Sequence, residues 1–201
     1  MNSTPKVSTI SLSAIVLAGG RSSRMGYDKA LIEISDVPLL RRVCDVALHC
    51  THQVYVVTGW SDRYRAILPP NCHLIADPQQ GPLVGFAQGL THIQTDWVLL
   101  LACDLPRLRG EDLQSWIIGL ETIAPDKIAL LPYGQKGWEP LCGFYRRTCL
   151  FELQSFIAQG GRSFQSWLAK QSVQELRLEN RDVLFNCNTP KDLEDFIRAD
   201  R

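Results

Sequence analysis

The segment Leu17-Ala-Gly-Gly-Arg-Ser-Ser-Arg-Met-Gly-Tyr-Asp-Lys29 gathers paired glycines, two serines, two arginines and a lysine directly behind a short apolar run. Glycine lets backbone N–H groups approach phosphate oxygens, a guanidinium forks two of them, and a lysine supplies a mobile point charge. The combination reads as a phosphate cradle. Neither the G-x-x-x-x-G-K-[ST] nor the G-x-G-x-x-G spacing is present, which weakens kinase and dehydrogenase readings. A surface turn with solvated charges is the competing reading, and three basic residues within nine positions (Arg21, Arg24, Lys29) weigh against it.

Three further segments carry candidate chemistry. Cys103-Asp-Leu-Pro106 ends the most continuously apolar run of the chain, so Asp104 is the candidate metal ligand. Mg²⁺ usually binds one or two carboxylates plus substrate phosphates, and an Asp that merely starts a turn ahead of Pro106 is the bland alternative. Asp77, in Asp77-Pro-Gln-Gln-Gly-Pro-Leu-Val-Gly85, could accept the N1 and N2 protons of a guanine or could only shape its loop. Asn186-Cys-Asn188 offers amide oxygens, or merely turn caps. No histidine lies inside these segments; the four, at 49, 52, 73 and 92, read as structural.

The elements that must hold these residues follow from periodicity. Ser13–Ala18, Gln53–Thr58, His73–Ala76 and Trp97–Cys103 are short apolar strands. Pro38–Cys50, Pro82–Ile93 and a segment after Pro106 place apolar residues on one helical face, such as Leu39, Leu40, Val43, Cys44 and Ala47. A strand at Lys127–Tyr133, a turn at Gly134–Gly137 and an extended segment Pro140–Arg146 break the rhythm and predict an antiparallel or mixed second half. Helical stretches around Leu150–Ile157 and Phe164–Leu168, closing strands at Val173–Leu178 and Val183–Asn186, and a helix opened by Thr189-Pro190 complete the reading. The fold class is α/β: a Rossmann-like, doubly wound, mostly parallel sheet with a mixed or antiparallel second half, and with ligands at the carboxyl ends of its strands. We expect a single domain over residues 1–201, with 1–12 as a flexible N-terminal extension.

Composition sets the outer bounds. The 201 residues are 45% hydrophobic and 21% charged, enough for an ample core and unlike a disordered chain. Lys and Arg, 21 in number, balance 21 Asp and Glu, so no surplus charge drives binding to nucleic acid or to an anionic membrane. Seven cysteines without a C-x-x-C pair or zinc spacing read as small buried hydrophobes in a reducing compartment. Lys6 and the run Ile10–Ala18 imitate a signal peptide weakly, but serines interrupt the run and it leads straight into the glycines. No apolar run approaches the roughly 20 residues of a membrane-spanning helix. A soluble, cytoplasmic protein is expected.

Taken together, Leu17-Ala-Gly-Gly, Ser22, Arg24-Met-Gly26, Asp28-Lys29, Gly81-Pro-Leu-Val-Gly85, Cys103-Asp-Leu-Pro106 and Asn186-Cys-Asn-Thr-Pro190 resemble the molybdenum cofactor guanylyltransferases, the MobA family, from about Ala14 to Ile197. The resemblance implies Mg²⁺-dependent transfer of GMP from GTP to Mo-molybdopterin, giving the guanine dinucleotide and pyrophosphate. It places Leu17, Ala18, Gly19, Gly20, Gly81 and Leu83 at the nucleotide, Lys29 on its phosphates, Asp77 on the guanine, Asp104 on magnesium and Arg24 facing the pyrophosphate. Gly20 and Leu83 favour guanine over the cytosine of related transferases. Arg162-Ser163, Asn186 and Asn188 resemble the pterin side, and Trp138 could stack there or serve the core. Other cofactor-biosynthesis proteins and molybdoenzyme chaperones are the implied partners. Val57-Thr-Gly-Trp60 departs from the pattern, standing where some members carry an asparagine that helps bind nucleotide. A related transferase using CTP or a sugar phosphate, and a non-catalytic cofactor carrier, are the alternatives.

Overall fold

Alternation along the first strand decides the layering. In β1 (Leu12–Leu17), Ala14 and Val16 enter one apolar cluster and Ile15 and Leu17 enter another, each residue 8% exposed or less, so both faces of the strand are covered. The structure, a computed structural model, describes residues 10–19, 28–187 and 190–199.

The remaining elements, in chain order, are a hairpin of β2 (Glu33–Ile34) and β3 (Val37–Pro38), α1 (Leu39–Leu48), β4 (Val54–Thr58), α2 (Ser61–Tyr64), β5 (Cys72–Ala76), α3 (Pro82–Leu90), β6 (Trp97–Ala102) and α4 (Gly110–Leu120). There follow β7 (Ala129–Leu131), a hairpin of β8 (Tyr133–Gly134) and β9 (Gly137–Trp138), β10 (Cys142–Arg146), α5 (Leu150–Ala158), α6 (Phe164–Leu168), β11 (Val173–Glu175) and α7 (Pro190–Ala199). Seven strands form one sheet in the order β11-β7-β10-β6-β1-β4-β5. All neighbours are parallel except β10, which runs antiparallel to both β6 and β7, as the broken rhythm of the second half predicts. Among the described residues no helix is long and apolar enough to cross a membrane.

One cluster, with Leu40, Val43, Leu113 and Trp116, lies under α1 and α4. The opposite face carries α3, α5 and α6 through Leu83, Phe86, Leu153, Phe164 and Trp167. Phe86, fully buried, stands 4.7 Å from the Tyr145 ring and 5.8 Å from that of Phe164, tying α3 to β10 and α6.

Register then brings the strand ends level. Leu17 pairs with Ala102 on one side and Val57 on the other, so β1, β6 and β4 stop along one edge. Asp77 N donates to Thr58 O (3.0 Å), drawing the end of β5 to that edge, and Ala102 N donates to Leu141 O (2.8 Å), drawing in the start of β10.

Four features differ from the sequence reading. Residues 10–12 are not part of a flexible extension: Trp97 N donates to Ser11 O (3.1 Å), Leu12 pairs with Trp97, and Ile10 packs on the core. Val183–Asn186 is not a strand, because the Asn180 side chain accepts from Asp182 N (2.9 Å) and winds Arg181–Leu184 into a 3-10 turn that buries Val183. The β2–β3 hairpin turns through Ser35 and Asp36, both at positive φ (51° and 60°), without the Asn-Gly signal that would announce it. The short helix α2 was also not legible. Thr189 lies outside the described residues.

Phe86→Ala should cost about 3–5 kcal/mol of unfolding free energy by denaturant titration, since its ring has no exposed surface to relax into.

Candidate active site

The level strand ends enclose a cavity of about 320 Å³ whose wall includes Leu17, Ala18, Gly19, Asp28, Lys29, Tyr64, Pro82, Cys103, Asp104, Leu141 and Asn186. Asp104 comes from the turn after β6 and Lys29 from a one-turn 3-10 helix, Lys29–Leu31. Lys29 Nζ and Asp104 Oδ2 are 3.7 Å apart, with side chains 20% and 16% exposed. Burial pushes the Asp104 carboxyl above the usual aspartate range, and the Lys29 ammonium opposes that rise. Cys187 N donates to Asp104 O (3.1 Å), which brings the Asn186 segment into the same wall.

The residues of the first strand end do different jobs. Ala18 N donates to Val57 O (3.0 Å) and Leu17 O accepts from Cys103 N (3.3 Å). These two residues therefore shape the cavity floor, and Gly19 is the first residue beyond the ladder. Gly20 and Arg24 lie outside the described residues.

A second hollow of about 250 Å³, lined by Gly19, Gly59, Trp60, Asp77, Gln79, Gly81 and Pro82, adjoins the first through Gly19 and Pro82. Asp77 shapes its loop and also borders this hollow. Its Oδ1 accepts from Gln79 N (2.8 Å) and shapes the loop, whereas Oδ2 lies against Gly19 so closely that a Cβ there would overlap it. Gly81 is required for backbone reasons alone: its φ is +97°, and a Cβ would meet nothing within 4 Å.

Leu83 is a correction. It is fully buried in the cluster beneath α3, so its side chain touches neither hollow, and Pro82 supplies the wall instead. On the expected pterin side, Asn186 joins the main cavity and donates Nδ2 to Leu184 O (2.9 Å), whereas Asn188 lies outside the described residues. Arg162 lines neither hollow. Its Nη1 donates to Ile157 O (2.9 Å) and Gly161 O (2.7 Å), and its Nη2 to Gln80 Oε1 (3.3 Å) on the Asp77 loop. Ser163 caps α6, accepting from Ser166 N (3.3 Å). Trp138 is half-buried, edge-on to Tyr133 at 4.8 Å, its backbone bracketed by Gln165. The sequence reading missed Trp60, 42% exposed with the Arg63 guanidinium 4.5 Å over its ring, and Tyr64. Trp60 closes the Val57-Thr-Gly-Trp60 segment noted only as a departure from the family pattern, and Tyr64 follows it in α2, which no sequence signal announced.

The donor set decides what metal could sit here. Among the described residues no group of three His, Cys, Asp or Glu could hold an ion by itself. One partly desolvated carboxylate on a cavity wall fits a hard cation that takes its other oxygens from substrate phosphates and water. Asp104 fits Mg²⁺ in that sense, and burial pushes the thiol of Cys103, on the same wall, up to about 12, which disfavours the thiolate a soft metal would need.

A mostly parallel sheet that presents a lysine, a carboxylate and a glycine at its strand ends has the architecture of a nucleotide-binding α/β protein. The family profile of the MobA-like NTP transferase domain matches residues 14–176, and the chain belongs to that family. It is 58% identical over 183 residues (90% of this chain, 88% of the relative) to a Nostoc sp. protein named "Probable molybdenum cofactor guanylyltransferase". A protein of the same name from Synechococcus elongatus is 43% identical over 187 residues, 91% of this chain and 96% of the relative. Among solved structures, molybdopterin-guanine dinucleotide biosynthesis protein A from Archaeoglobus fulgidus superposes with a TM-score of 0.77 at 24% identity, covering 93% of this chain and 97% of that one, and so shares the fold.

The raised folded-state pKa of Asp104 carries a sign. The folded protein holds that proton more tightly than the unfolded chain does, so the group destabilises the fold above its folded pKa, and this cost disappears as pH falls. Asp104→Asn should therefore hold or raise the Tm of the ligand-free protein at pH 7, with the difference shrinking toward about pH 4. A Tm below wild type at pH 7 would make the carboxylate a structural element.

Proposed function

We propose that this chain is one nucleotidyltransferase domain that transfers GMP from GTP to Mo-molybdopterin, with release of pyrophosphate. The observation that carries the reading is Lys29 facing Asp104 across the strand-end cavity. A carrier of finished cofactor would have no use for an ammonium and a buried carboxylate set against each other. The names of the Nostoc and Synechococcus relatives support the choice of reaction.

The division of labour follows from the two hollows. The triphosphate lies over Gly19 in the larger one, with Lys29 on its oxygens, and the base enters the smaller one against Asp77 Oδ2. A carboxylate there accepts the N1 and N2 protons of guanine, a pair of donors that adenine and cytosine lack. The acceptor phosphate approaches from the Asn186 side. An anionic phosphate is already a nucleophile, so no general base is required, and catalysis comes from alignment and charge neutralisation. Mg²⁺ bound at Asp104 would supply charge stabilisation for the departing pyrophosphate. Lys29 meanwhile opposes the upward push that burial gives the Asp104 carboxyl. Arg24 facing the pyrophosphate and Gly20 at the nucleotide complete the proposed site. The seven cysteines, all unpaired in the structure, suit a reducing, cytoplasmic setting, with the cofactor-biosynthesis proteins and molybdoenzyme chaperones there as partners.

Purified protein with Mg²⁺, each of the four nucleoside triphosphates and Mo-molybdopterin should release pyrophosphate and form dinucleotide with GTP alone. A preference for CTP would keep the mechanism and overturn the role of Asp77. Pterin binding without turnover would indicate the carrier. Asp104→Ala should abolish Mg²⁺-dependent turnover, and Lys29→Ala should raise the KM for GTP and slow transfer; near-normal kinetics in either variant would remove that residue from the site.

A further inference from the structure

Tyr64 belongs to none of the motifs legible in the sequence, yet it is 1% exposed and lines the main cavity. Its hydroxyl donates to the Asp28 carboxylate, 2.9 Å from Oδ1 and 2.8 Å from Oδ2. The same Oδ1 accepts from Ala30 N at 3.1 Å and so caps the single 3-10 turn that carries Lys29. Arg63, the neighbour of Tyr64 on α2, reaches Asp28 Oδ2 with Nη1 at 3.8 Å. One carboxylate thus links α2 to the Lys29 turn.

We propose that Tyr64 is a positioning residue for nucleotide binding, holding Asp28 as the cap of the Lys29 turn and thereby setting where the Lys29 ammonium stands. The inference rests on the nucleotidyl-transfer reading above. A one-turn 3-10 helix has no length over which cooperative hydrogen bonding can hold it, so its geometry depends on its cap. Hydrogen bonds to an ionised carboxylate are roughly twice as strong as neutral ones, and here they form in a partly desolvated wall. Burial and the Asp28 carboxylate both push the Tyr64 phenol far up, so the hydroxyl remains a donor throughout the working pH range. A few residues upstream, Thr58 ends β4 in the sheet and Trp60 N donates to its Oγ1 (3.0 Å), which ties the start of α2 to the rigid scaffold. Lys29 is therefore referenced to the sheet through Asp28, Tyr64 and β4.

The test is the affinity for Mg²⁺-GTP, without acceptor, measured by calorimetry on the full chain, with competition titration where heats are small. Tyr64→Phe keeps the ring and removes only the donor, and should weaken binding roughly 10–100-fold with little change in Tm. In a Lys29→Met background the same substitution should cost nothing further, because the residue it positions is gone. If Tyr64→Phe fails to fold, Asp28→Ala reads the same cycle and should show the same dependence on Lys29. Wild-type affinity in the readable variant, or a loss that persists undiminished beside Lys29→Met, overturns the proposal while leaving the transfer reading intact. A wild-type protein that binds no Mg²⁺-GTP overturns both.

Discussion

A parallel strand hydrogen-bonded on both sides has no freedom to choose where it stops. β1 is such a strand, paired with β6 and β4 in registers that align Leu17 with Ala102 and Val57. Every backbone group up to that line belongs to the ladder, and beyond it the chain must turn into a loop. Three loops therefore begin at neighbouring strand ends along one edge, carrying Gly19, Gly59 and Asp104. The antiparallel β10, whose start is held by Ala102 N to Leu141 O, closes the fourth side. The sheet hydrogen bonds fix the floor of the cavity, and Lys29, Tyr64 and Asn186 come to its wall from outside the sheet.

On that wall, charge is held under tension. Burial pushes the Asp104 carboxyl above the usual aspartate range, and the Lys29 ammonium 3.7 Å away pulls the other way. Neither partner is sealed off, so the pair resembles neither a surface ion pair of small consequence nor a fully buried one. A carboxylate in this condition is partly desolvated and close to a single positive charge.

The loops add shape where the sheet cannot. Asp77 spends one oxygen on Gln79 N and presses the other against Gly19, so a single side chain both fixes its loop and borders the smaller hollow. Arg162 reaches the same loop through Gln80, linking the turn between α5 and α6 to the Asp77 loop. The two sides expected for donor and acceptor thus meet through that contact.

The sequence alone determined the alternation of strands and helices, the antiparallel intrusion after Gly134–Gly137, and the residues Lys29, Asp77, Asp104 and Asn186. Each is visible because apolar period and local residue type are properties of neighbours in the chain. The family itself was also visible, in motifs spread over nearly the whole length. Tertiary structure alone decided that Leu83 is core and Pro82 is wall, that Val183 belongs to a turn, and that Tyr64 and Trp60 border the cavity. Those outcomes depend on which face of an element meets the sheet and on contacts between residues such as Asp28 and Tyr64, 36 positions apart. A polar side chain can be recognised in a sequence, but its hydrogen-bond partner is supplied by packing.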